Sequence, residues 1–138
     1  MNRTDLQTLA ELRLRDAGIL LADGGHESAY YLAGYAVECA LKACIAKQVR
    51  QYDFPDKRLA ERSFTHKLTE LVDVAGLKAA LTNHISASPG FAANWNIVKD
   101  WNETSRYSLS ISRTDAQALY VAISDPNDGV LAWLKHHW

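Results

Sequence analysis

Residues 29–46 constrain this chain more than any other stretch, because apolar and small side chains run through them almost without a break. Tyr30, Tyr31, Ala33, Gly34, Val37, Ala40, Leu41, Cys44 and Ile45 recur at helical spacing yet cover more than one narrow stripe of the wheel. A helix apolar over most of its circumference must be wrapped, either at the centre of a bundle or against a second subunit. Ala33, Gly34, Ala36 and Ala40 let the wrapping helices come close. The spacing predicts a helix from Glu27 to Arg50, starting near Ser28 or Glu27. Glu38 and Lys42 interrupt the run, so a bilayer span is not expected.

Around that helix the sequence predicts others. Residues 4–22 carry a stripe of Leu6, Leu9, Ala10, Leu12, Ala17, Leu20 and Leu21, with Thr4 and Asp5 as candidate caps and Asp23-Gly24-Gly25 as the stop. Residues 51–63, with Pro55 and several charges, read as a loop. A helix over 66–75 capped by Thr65 follows, then a break at Gly76, a short helix over 77–85 and a turn centred on Pro89. Phe91, Trp95, Val98 and Trp101 mark a helix over 91–104. Residues 105–113 read as irregular. Ser112 or Thr114 then caps a last helix that Pro126 interrupts and that resumes over 130–138. Leu109-Ser110-Ile111 is the one candidate strand, and it has no partner. The fold class expected is all-α, an antiparallel four- to five-helix up-and-down bundle forming one domain over 1–138.

Composition excludes several functions. Fifteen basic and sixteen acidic residues leave a formal charge of −1, so no global field draws the chain to nucleic acid or an anionic membrane. The amino terminus lacks the apolar core of a signal peptide, which together with the two cysteines points to the cytoplasm. Cys39 and Cys44, five residues apart on one helix, project about 140° apart and share neither a disulfide nor a metal. No phosphate loop, metal-ligand spacing or nucleophile elbow is present, and no cofactor is expected.

Four features remain as candidates for chemistry. Glu38 and Lys42 stand at i and i+4 with the acid nearer the N-terminus, as an ion pair on a wet strip or as a polar pocket at an interface. His66 follows Thr65 in a capping or packing position. Arg106, between Ser105 and Tyr107, suits phosphate or base recognition. His136-His137 reads as a solvated tail.

The run Ser28-Ala29-Tyr30-Tyr31-Leu32-Ala33-Gly34-Tyr35-Ala36-Val37-Glu38-Cys39-Ala40-Leu41-Lys42-Ala43 resembles the central helix of HEPN domains, the higher eukaryotes and prokaryotes nucleotide-binding family, with its Ala-Val-Glu-x-x-Leu-Lys-Ala pattern. Ala10-Glu11-Leu12-Arg13-Leu14-Arg15-Asp16-Ala17 is similar to the first helix of that family, Thr65-His66-Lys67-Leu68 with Leu71 to the step after its central loop, and Ser105-Arg106-Tyr107 followed by Asp115-Ala116 to its later order. The resemblance implies a homodimer that binds a nucleotide, RNA or a protein partner at Tyr31, Glu38, Lys42 and Arg106. It also implies a nucleotidyltransferase as partner in a toxin–antitoxin or defence system. Ribonucleases of the family pair an Arg with a His across four to six residues. Here Arg62 and His66 have three residues between them, and Arg106 has no such His after it. The candidates for that chemistry are therefore Arg62, His66 and Arg106 in a non-standard set, and the expectation is that RNA is not cleaved at the rate of a toxin.

Overall fold

The computed structural model describes residues 1–50, 52–54 and 56–138. Among them lie eight α-helices and no strand, an all-α bundle. They are α1 (Arg3–Ala22), α2 (His26–Ala46), α3 (Lys57–Arg62), α4 (Leu68–Val74), α5 (Lys78–Ala87), α6 (Pro89–Val98), α7 (Arg113–Ser124) and α8 (Val130–Lys135), with a 3₁₀ turn at Glu103–Tyr107. Several of the expected elements divide. Pro89 opens α6 as its first residue, with the Ser88 hydroxyl accepting from Phe91 N–H, so the turn expected there shrinks to one capping residue. The helix expected over 91–104 ends at Val98, and 57–62, expected as loop, is helical because the Asp56 carboxylate caps it. Gln51 and Pro55 of that expected loop lie outside the described residues.

Local chemistry explains the other boundaries. Asn2, not Thr4 or Asp5, caps α1: its side chain accepts from Asp5 N–H while the Asp5 carboxylate accepts from Asn2 N–H, each at 2.9 Å. Gly24 turns the chain into α2 with φ +88, a conformation side chains resist. Thr65 does not cap α4; its hydroxyl donates to Glu70 at 2.6 Å and accepts from Lys67 N–H at 3.2 Å. Ser112 caps α7 as expected.

α2 is the axle. α1 packs along it as an antiparallel hairpin, and α4, α7, α8 and the 3₁₀ turn cover its remaining sides. Twelve of its residues are buried, so its apolar circumference is wrapped by its own chain. Trp95 and Trp101 are buried, at 6% and 2% exposure, so neither offers a bare indole to a second subunit. Trp101 reaches its place because residue 34 is glycine. A Cβ there would stand closer than 3.0 Å to Cδ2, Cε2 and Nε1 of the indole. No helix among the described residues is long and apolar enough to cross a membrane.

Candidate functional site

Tyr31, Tyr35, Glu38 and Lys42 stand at i, i+4, i+7 and i+11 of α2, which at about 100° per residue puts them within a 60° sector and spreads them over about 16 Å of axis. This row emerges between the covering helices. Tyr31 and Tyr35 are partly buried with rings parallel to 4° and centroids 6.0 Å apart. Tyr31 also stacks on Trp101, centroids 6.0 Å apart. Burial is the main cause that pushes the Tyr35 phenol up to about 12, with Cys39 and Glu38 adding to it. The Cys39 thiol is pushed up to about 11 by burial, opposed by its hydrogen bond with Tyr35. Both groups hold their protons at neutral pH.

At the far end of the row sits Glu38, the one buried charged residue among the described residues. Its Oε1 accepts from Lys42 Nζ at 2.9 Å and lies 2.8 Å from Nδ1 of His66, which arrives from the segment before α4. A carboxylate oxygen accepts, so the Nδ1–H of His66 is the donor of this pair. The Glu38 side chain is 3% exposed, that of Lys42 25% and that of His66 48%. A carboxylate in that position persists because two donors meet it, and each of those donors reaches water. The sequence expectation of an intrahelical Glu38–Lys42 pair holds geometrically, and the capping or packing role read for His66 gives way to a contact with Glu38.

Arg106 belongs to the other end. It is exposed, lies over the Tyr107 ring at 4.9 Å, and hydrogen bonding to the Tyr31 phenol raises its pKa, with Tyr107 adding to the effect. The single pocket expected of Glu38, Lys42 and Arg106 is corrected to two clusters joined by the Tyr31–Tyr35 pair. The reason is the register of the 3₁₀ turn, which delivers Arg106 beside Tyr31, about 10 Å along the axis from Glu38. Arg62 joins neither. Its Nη2 is held by Asp73 Oδ2 at 2.8 Å on the surface, so Arg62 and His66 are drawn to different carboxylates.

Sequence reasoning missed Tyr35 and Trp101 as parts of this face. Tyr35 was legible, since it completes the Tyr31–Glu38–Lys42 stripe. The Glu38–His66 pair, 28 residues apart, carries no local signal. His137, read as a solvated tail residue, packs on Trp133 with centroids 4.8 Å apart. His26 Nε2 lies 3.0 Å from Oε1 of its neighbour Glu27. Among the described residues no group of three or more His, Cys, Asp or Glu is gathered as metal ligands. The two buried polar atoms without a partner among the described residues, Trp101 Nε1 and Ser105 Oγ, both lie in the segment that enters the 3₁₀ turn. Each such atom costs about 1–3 kcal/mol unless something else satisfies it. No family model, curated protein or solved structure matches this chain.

Proposed function

We propose that this chain is a HEPN-like helical module that binds a nucleotide or a short single-stranded RNA on the partly buried face of α2 that carries Tyr31, Tyr35 and Lys42. The observation that carries the reading is the parallel Tyr31–Tyr35 pair with the Arg106 guanidinium beside it. Flat aromatic faces accept any base by stacking, and a planar cation next to them suits a phosphate. Lys42 extends the row with one more donor. The net positive charge is small, because Glu38 offsets Lys42. One to two phosphates neutralised would weaken single-stranded binding only about three- to sevenfold between 50 and 200 mM salt.

The test is fluorescence anisotropy with labelled single-stranded RNA, competed by nucleoside monophosphates. Tyr31→Ala and Arg106→Ala each weaken binding by about tenfold, matching a stacking contribution of about 1–3 kcal/mol per base. Binding left intact by both variants refutes the reading.

A ribonuclease is the second reading, favoured by one observation: a histidine oriented by a buried carboxylate has the arrangement of a general base. Cleavage also needs a cation at the same phosphate, but Arg62 is held by Asp73 and Arg106 lies at the other end of the row, about 10 Å along α2 from Glu38. The expected outcome is no cleavage of mixed RNA; robust cleavage lost in His66→Ala would make the protein an enzyme. The resemblance further supports a cytoplasmic homodimer and a nucleotidyltransferase partner in a toxin–antitoxin or defence system. Sedimentation at micromolar concentration tests the dimer directly.

A further inference from the structure

A second concavity lies off the tyrosine row. It is a cleft of about 490 Å³, walled by the start of α2, the end of α6, the 3₁₀ turn and the first turns of α7. Asp100 and Asp115 both line it, and no lysine or arginine does. Neither carboxylate has an ion-pair partner among the described residues. Ile97, Ile111 and Ala118 supply an apolar wall. Ser105 also lines the cleft, and its Oγ is enclosed without a hydrogen-bond partner, which is an independent sign that a polar group is wanted there.

We infer that this cleft binds a small organic cation, an aliphatic amine or diamine, with its ammonium groups on Asp100 and Asp115 and its methylene chain against Ile97 and Ile111. Charge selects the sign: two unpaired carboxylates in a pocket without cations disfavour an anion and favour a donor-rich cation. Shape and lining select the kind. The volume is that of a small-molecule site, and the isoleucine wall gives an alkyl chain what a hydrated metal ion cannot use. A hard divalent ion also wants more converging oxygens than two carboxylates supply. The Tyr30 phenol stands in the same field, its pKa raised by burial first and then by Asp115 and Asp100, so it stays protonated beside the ligand. The inference is independent of the nucleotide-binding reading, because no residue of this cleft belongs to that row.

Isothermal titration of the full chain with butane-1,4-diamine tests it, beside magnesium chloride at matched ionic strength and a lysine-rich peptide. The expected result is saturable one-to-one binding of the diamine, weakened about tenfold or more in Asp100→Asn and in Asp115→Asn. Both aspartates are exposed, so unchanged melting temperatures verify that the variants fold. His66→Ala binds the diamine as the parent does, which separates this site from the tyrosine row. No saturable binding by the parent overturns the inference, as does equal affinity in both aspartate variants. Magnesium binding as well as the diamine would mean loose counterion attraction, and binding of the peptide alone would make the cleft a protein contact; either also overturns it.

Discussion

Replacing Gly34 by alanine isolates the close approach on which the centre of the bundle depends. The new methyl would press on the fused bond and nitrogen of the Trp101 indole at under 3.0 Å. That part of the ring cannot swing aside, because the indole is 2% exposed and stacks on Tyr31. Overpacking of this kind costs about 1–3 kcal/mol. Expelling the indole altogether would approach the roughly 3–5 kcal/mol lost when a buried aromatic is removed. Against that, alanine in a helix interior is better than glycine by about 1 kcal/mol. The net is a destabilisation of about 2 kcal/mol, a fall in melting temperature of about 6 °C for a chain of this size. Gly18→Ala is the internal control. There the new Cβ meets the Tyr120 hydroxyl at 2.8 Å, the far end of a side chain that can pivot, so the helix gain dominates and the melting temperature holds or rises. Thermal unfolding followed by circular dichroism and tryptophan fluorescence gives both numbers, and Trp101→Leu in the Gly34→Ala background should recover most of the loss. A Gly34→Ala protein as stable as the parent, with unchanged fluorescence, refutes the reasoning.

Removing the Glu38 side chain strands Lys42 and His66, so Glu38→Ala destabilises by about 2 kcal/mol, Glu38→Gln by less, and His66→Ala by under about 1 kcal/mol because its ring is half in water; chemical denaturation ranks them, and a His66→Ala loss equal to that of Glu38→Ala contradicts the scheme. His137 has its pKa lowered by burial first, then by His136, Lys47 and His84. The folded state therefore disfavours its proton, and stability present above the ordinary value of 6.5 is lost as pH falls through it towards the folded pKa. Melting temperatures across that window should fall less steeply in His137→Gln, and parallel curves would show that another group is responsible. Cys39 and Cys44 are buried with thiols pushed up to about 11, mainly by burial. Iodoacetamide at mildly alkaline pH should leave both unmodified until denaturant is added, as mass spectrometry would report.

Much of this fold is written locally. The apolar circumference of α2 announces that it must be wrapped, and Asn2, Asp56, Ser88 and Ser112 sit where helices begin. Three of those caps escape a local reading for a physical reason, Ser88 because Pro89 beside it reads as a turn. Asn2 competes with Thr4 and Asp5 within one turn, and Asp56 caps a helix of only six residues whose periodicity is too short to register. The candidate site was legible to the extent that it lies on one helix, as with Glu38 and Lys42. His66 on Glu38, Trp101 on Gly34 and Arg106 beside Tyr31 are set by how separate segments dock. Near-neutral composition likewise hides the segregation of Asp100 and Asp115 into one cleft while Arg106 faces another way.

The wrapping of α2 also has a consequence for synthesis. Only α1, already made, can shield it as it leaves the ribosome, whereas α7 and α8, which close its other sides, end at Ser124 and Lys135. At translation rates of about 5–20 residues per second, Leu134 follows Ala46 by roughly 4–18 s. Through that interval Val37, Leu41 and Cys44 stand on a nascent hairpin without their final cover. A chain built on such an axle is a natural client for ribosome-associated chaperones, and its yield on overexpression should follow elongation rate more closely than its equilibrium stability.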